Sequence, residues 1–157
     1  MRRFASDTSV SVERSKAEIE SLVMRYGATG FAAGWSGDQT QIQFMSHDRM
    51  IRFNLPLPKR DENRFTTTPA GRKRLSADDQ YKAWEQGCRQ LWRALTLAIK
   101  AKLEAVECGI SQFDDEFLAQ IVDPFTGKTV GEIMRPQIAA SYTNGPKQLL
   151  LCGPQPA

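Results

Sequence analysis

A period-two alternation of apolar and polar residues marks segments 39–46 and 49–55. This alternation is typical of strands that bury one face and leave the other in water. The positions predicted to face the core are Thr40, Ile42, Phe44, Ile51, Phe53 and Leu55. Together with segment 29–35, these runs predict a three-stranded antiparallel meander whose opposite face is polar, with glutamines, Arg52 and Asn54.

Helical spacing precedes and follows the meander. Apolar residues at i, i+3, i+4 and i+7 predict an amphipathic helix before the strands, opened by Ser15 with Glu18 as a capping box, or by Ser11. A much longer apolar stripe predicts a helix from the cap at Ser76 to about Gly109. At about 1.5 Å per residue, this helix must overhang the sheet, so the last third of the chain should cover its end.

The last third contains shorter patterns. It predicts a short helix over residues 114–121, a turn at 123–127, and a helix that opens at Thr129 with Glu132 as a capping box and that Pro136 kinks or interrupts. The predicted fold class is α+β: an N-terminal helix, a three-stranded antiparallel meander, a long helix packed on the sheet, and short C-terminal helices. We predict a flexible N-terminus over 1–10, a single domain over 11–145, and a C-terminal tail over 146–157.

Composition narrows the class of protein without identifying it. Hydrophobic residues make up 41% of the chain and charged residues 25%, as in ordinary globular domains. No apolar run approaches the roughly 20 residues of a membrane helix, and no apolar signal core follows the basic N-terminus. Three widely spaced cysteines fit neither a disulfide framework nor a metal site, and Cys88 and Cys108 are predicted to be small core residues. These features predict a cytoplasmic protein that has no cofactor and no membrane partner.

Positive charge is concentrated in residues 59–75, which we call the basic loop. Six basic and two acidic residues give this segment a net charge of +4, whereas the whole chain carries +3. We expect the loop to be long and flexible when free. A basic segment of this kind favours binding to a polyanion.

The basic loop therefore predicts a nucleic-acid-binding surface, with DNA favoured over RNA. Its cations would neutralise phosphates, and Phe65 would stack on an unpaired base. The long helix would add Arg89 and Arg93 to the same surface. The predicted phosphate-binding residues of the loop are Lys59, Arg60, Arg64, Arg72, Lys73 and Arg74. The interpretation is a non-enzymatic accessory protein whose affinity falls steeply with salt.

The sequence is also compatible with two other functions. One is a Mg²⁺-dependent nuclease, because a cluster of acids offers the oxygen ligands that it would use: Asp114, Asp115 and Glu116, with Asp123. Acids in the first turn of a helix are also explained by the helix dipole. The polar sheet face, or the overhanging end of the long helix, would suit a module that inhibits or redirects a host enzyme or defence system. His47, the single histidine, is expected to be an exposed turn residue.

Several stretches resemble a family of small proteins encoded by tailed bacteriophages and prophages. They include Val-Glu-Arg-Ser (12–15), Arg-Tyr-Gly-Ala (25–28), Asn-Leu-Pro-Leu-Pro (54–58), Trp-Arg-Ala-Leu (92–95), Ile-Lys-Ala-Lys-Leu-Glu-Ala-Val-Glu (99–107), Phe-Asp-Asp-Glu-Phe-Leu (113–118) and Thr-Val-Gly-Glu (129–132). The resemblance covers most of residues 10–145. It implies a phage or prophage origin, the host cytoplasm, and an accessory role in genome replication, recombination or interference with the host, and it assigns no functional residue.

Overall fold

Three antiparallel strands form one sheet in the order β1-β2-β3, and helices before and after them complete an α+β fold, as predicted. The computed structural model describes residues 7–36, 39–68, 70–73 and 76–144. The strands are β1 (Gly30–Ser36), β2 (Gln39–Ser46) and β3 (Arg49–Pro56). The helices are α1 (Val12–Arg25), α2 (Asn63–Thr66), α3 (Ala77–Glu107), α4 (Phe113–Phe117) and α5 (Val130–Asn144), with a 3-10 turn at Leu118–Gln120 after α4.

The register of the meander places the predicted apolar face in the core. Phe44 lies opposite Ile51, and Ile42 lies opposite Phe53, in the pairing of β2 with β3. Ile42, Phe44 and Ile51 are almost completely buried. Because side chains alternate along a strand, this register turns the glutamines, Arg52 and Asn54 to the other face.

Helices α1 and α3 pack against each other and against this apolar face. Ile19 and Val23 of α1 and Trp92, Ile99 and Leu103 of α3 belong to the same buried cluster as the sheet residues. Ser11, not Ser15, begins α1: its hydroxyl accepts a hydrogen bond from the backbone N–H of Arg14 at 3.1 Å. The proposed capping box at Ser15 is wrong, because Ser15 lies one turn inside the helix with its hydroxyl buried.

Residues 7–10, which precede α1, form hydrogen bonds with α3 and with one another. The side-chain amide of Gln86 on α3 donates to the carbonyl oxygen of Thr8 at 2.9 Å, and the backbone N–H of Val10 donates to the Thr8 hydroxyl at 3.3 Å. The flexibility predicted for residues 1–10 stays a prediction, and residues 1–6 of that segment lie outside the described residues.

The turn between β2 and β3 has an unusual backbone. His47 and Asp48 both have positive φ, 51° and 57°, a combination that tight hairpin turns require and that glycine and asparagine adopt most easily. The His47 ring stacks on Phe113 of α4, with 4.2 Å between centroids and 25° between planes. This stacking supplies packing at a turn whose backbone is otherwise unfavourable for these residues.

The polar face of the sheet is partly covered by the segment that leads into α5. The Arg52 guanidinium donates to the carbonyl oxygen of Gly127 at 2.8 Å, and the Asn54 amide donates to the Glu132 carboxylate at 3.0 Å. Beside β3, the backbone N–H of Val122 donates to the carbonyl oxygen of Met50 at 2.8 Å. These polar side chains therefore hold the C-terminal part of the chain against the sheet.

The predicted capping box at the start of α5 is confirmed. Glu132 accepts from the backbone N–H of Thr129 at 2.7 Å, and Thr129 accepts from that of Glu132 at 3.2 Å. The first of these hydrogen bonds stabilises the charged carboxylate and lowers the pKa of Glu132 below its ordinary value. Pro136 does not interrupt the helix, which continues to Asn144.

The overhanging end of α3 is covered as expected. Phe113 and Phe117 of α4 are buried in the common core, and Lys102 of α3 forms an ion pair with Glu116 at 3.5 Å. Cys88 is buried, but Cys108 is exposed at the end of α3, so its predicted core position is wrong. None of the helices among the described residues is long and apolar enough to cross a membrane.

Candidate functional site

The basic loop is anchored to α3 by Phe65. This side chain lies on α2, is only 4% exposed, and packs where α3 has Gly87. A Cβ atom at position 87 would lie 2.8 Å from the Phe65 ring, so the absence of a side chain there creates the space that the ring fills. The prediction that Phe65 stacks on a base is therefore wrong, because its faces are buried inside the protein.

The loop on either side of Phe65 contains local structure. The backbone N–H of Lys59 donates to the Glu62 carboxylate at 2.6 Å. After α2, Thr67 forms an isolated antiparallel bridge with Lys73, and the backbone N–H of Thr68 donates to the carbonyl oxygen of Arg72 at 2.7 Å. The described part of the loop thus contains a short helix and one antiparallel bridge, and its flexibility when free stays a prediction.

Three of the predicted phosphate-binding arginines form ion pairs within the protein. Arg64 contacts Glu62 at 2.7 Å, and Arg93 contacts Glu18 of α1 at 2.6 Å. Arg89 lies 3.5 Å from Glu85, one turn away on α3. A phosphate would have to compete with these carboxylates, so the three arginines are weaker candidates than the sequence indicated.

Besides the ion-paired Arg64, four basic residues of the loop are exposed: Lys59, Arg60, Arg72 and Lys73. Lys59, Arg72 and Lys73 form no ion pair with any residue that the structure describes. Arg72 and Lys73 sit side by side where the chain returns from the turn at Gly71, whose φ is +76°. Arg74, the remaining predicted residue, lies outside the described residues.

An aromatic pair near the start of α3 lies beside one of these cations, Arg60. The rings of Tyr81 and Trp84 are 5.6 Å apart, tilted by 42°. The Arg60 guanidinium lies over both, 4.4 Å from the Trp84 ring centre and 5.2 Å from that of Tyr81. The Trp84 indole N–H donates to the carbonyl oxygen of Pro58 at 2.7 Å, which fixes this ring against the start of the loop.

Tyr81 is the exposed aromatic residue that the sequence argument missed. Its spacing assigned it to the apolar stripe of α3, yet it is 46% exposed. The only feature of the sequence that could have indicated its exposure is its position near the start of the helix. A residue of the apolar stripe can lie beyond the hydrophobic core there. Guanidinium and aromatic planes are the groups on which unpaired bases stack, and Arg60 and Tyr81 place one of each kind in contact.

The acidic residues near α4 contact cations of the protein. Asp114 lies 3.5 Å from Arg49, and Glu116 pairs with Lys102. Asp123 instead accepts from the Thr126 hydroxyl at 2.6 Å and from the backbone N–H of Phe125 at 3.2 Å. These hydrogen bonds, that from Thr126 first, lower the Asp123 pKa. Within the described residues, no three His, Cys, Asp or Glu side chains lie close enough together to hold a metal ion, so the grouping that the nuclease alternative needs is not formed there.

A groove of about 880 Å³ lies on the other face of the sheet, between β2, β3 and the first turn of α5. Three methionines line it: Met45, Met50 and Met134. Arg49 and Arg52 lie among its polar residues. Methionine side chains adapt their shape to varied apolar neighbours.

No protein-family model, curated protein or solved structure matches this chain.

Proposed function

We propose that this protein is a non-enzymatic accessory protein that binds nucleic acid through the exposed cations of the basic loop. The observation that carries the proposal is the exposure of Lys59, Arg60, Arg72 and Lys73, none of which forms an ion pair with a described residue. Side chains of this kind neutralise backbone phosphates and release counterions. We further propose a role in phage or prophage genome metabolism, which the resemblance noted in the sequence implies.

The position of the loop supports the same proposal. Phe65 anchors the loop to α3, and we infer that this contact limits the positions that the loop cations can take. Preorganised cations lose less conformational entropy when a ligand binds. Arg60 lies over the Tyr81 ring, and these two flat groups add a surface on which an unpaired base can stack.

We expect the double variant Arg72→Gln/Lys73→Gln to bind labelled DNA more weakly and with a shallower salt dependence. Each lost phosphate contact should flatten the plot of log affinity against log salt by about one unit. Fluorescence anisotropy at several salt concentrations, with single- and double-stranded DNA and RNA, measures both quantities.

The matched control for this experiment is Arg14→Gln/Lys128→Gln. It removes the same charge from two exposed positions far from the loop along the chain. The control should keep the wild-type slope to within measurement error. Absence of binding by the wild type at low salt, or equal slopes for the wild type and the loop variant, would overturn the proposal.

A protein-docking module is the second candidate, and the methionine-lined groove is the observation that favours it. Met45 is 37% exposed at the groove. If a protein partner inserts an apolar segment there, Met45→Glu should abolish its stoichiometric capture from nuclease-treated bacterial lysate, because a charge would be buried.

Met24→Glu is the matched control for the groove, since Met24 is 49% exposed on α1 and lies outside the groove. Partner capture should survive this change. A partner retained equally by both variants, or lost equally by both, would rule out the groove as its binding site.

A further inference from the structure

The outer edge of β1 has no partner strand among the described residues. β2 pairs with one edge of β1, and the outer edge of β3 receives the isolated bridge from Ile121. No strand or isolated bridge in the described ranges pairs with the other edge of β1. The backbone groups on that edge are therefore available for hydrogen bonds to another strand.

The sequence of β1 contains none of the features that normally protect an edge strand. The run Gly-Phe-Ala-Ala-Gly-Trp-Ser has no charged residue and no proline, which are the usual means of preventing edge-to-edge pairing. Residues 32–35 are all exposed. Trp35 is 85% exposed, an unusual position for so large an apolar side chain.

The strand is also complementary to itself. In an antiparallel pair of two β1 strands centred on Ala33, Phe31 lies opposite Trp35 of the second copy, and the same pair forms again by symmetry. Phe31, Ala33 and Trp35 share one face of the strand because side chains alternate. Aromatic residues directly opposite each other stabilise antiparallel pairs. On the other face, Ala32 would meet Gly34, so no bulky side chains collide there.

We propose that the protein forms a symmetric homodimer in which two β1 strands pair antiparallel and join the sheets into one of six strands. Such an interface is isologous, since the same residues contribute from both copies. Pairing satisfies the free backbone groups of both edges and covers Trp35. A strand pair buries less than the roughly 800 Å² per partner of a typical stable complex, so the dimer should dissociate on dilution.

Ala33→Lys tests this proposal directly, because the symmetry places position 33 opposite itself. Two lysines would then face each other across the pair, and like charges in that position repel. Sedimentation velocity over a range of protein concentrations should give a wild-type mass that doubles as concentration rises. The variant should stay monomeric, with a dimer dissociation constant raised at least about ten-fold.

The matched control is Ala101→Lys, which places the same charge at an exposed position on α3 and should dimerise like the wild type. If Ala33→Lys does not fold, as judged by circular dichroism, Trp35→Ser replaces it and should also weaken the dimer. A wild type that is monomeric at all concentrations would overturn the proposal. Dimers of unchanged affinity in the folded β1 variant would also overturn it.

Discussion

Replacing Phe117 with alanine is expected to lower the free energy of unfolding by about 3–5 kcal/mol. Phe117 is completely buried. Its ring contacts Phe44 edge-to-face at 6.0 Å between centroids, Phe53 at 6.4 Å and Phe113 at 4.8 Å. The substitution would therefore leave a cavity where α4 meets the sheet and would remove several aromatic contacts at once.

Urea denaturation followed by circular dichroism measures this effect. Leu118→Ala is the control: it changes the next residue, which is 54% exposed, and should cost less than about 1 kcal/mol. Equal losses for the two variants would contradict the central role of Phe117. A loss below about 1 kcal/mol for Phe117→Ala would do so as well.

Tyr81→Ala is expected to weaken binding of single-stranded nucleic acid without changing its salt dependence. Stacking contributes about 1–3 kcal/mol per base, which corresponds to a loss of roughly 5- to 150-fold in affinity. The salt dependence should be unchanged because no charge is removed. Binding to a blunt duplex, whose bases are already stacked, should change little.

Tyr81→Phe keeps the ring and should retain the affinity of the wild type, which separates stacking from hydrogen bonding by the hydroxyl. Tyr142→Ala removes a 90% exposed tyrosine from α5 and controls for the general loss of an aromatic surface. Both controls are measured by anisotropy against the same strands. Wild-type affinity of Tyr81→Ala for single strands would exclude Tyr81 as a stacking residue.

The parts of the fold that the sequence predicted are those set by local periodicity. Ile42 and Phe44 alternate with glutamines, and both are buried, because a strand of period two offers only one consistent choice of face. Thr129 and Glu132 are three residues apart, so their capping box depends on contacts within one helical turn. Pro136 removes only one backbone hydrogen bond from α5. The helix, which the Thr129–Glu132 capping box stabilises at its start, therefore continues past the proline.

The candidate site was harder to predict because its determinants are distant in sequence. The burial of Phe65 depends on the missing side chain at Gly87, and the pairing of Arg93 depends on Glu18 in another helix. Neither contact produces a periodic pattern or a short motif in the sequence, because its two residues are far apart along the chain. The exposure of Tyr81 has the same origin, since it depends on which neighbours reach the start of α3 and not on the spacing of the stripe.

The hairpin between β2 and β3 also has a consequence for the order of folding. Its turn holds two residues other than glycine in the left-handed region, which costs roughly 1–2 kcal/mol for each residue. The compensating contact of His47 is with Phe113, far along the chain. Contacts between distant segments form slowly, because a long loop must close first. We therefore expect this hairpin to be only transiently populated early in folding and to become persistent when the segment carrying Phe113 arrives.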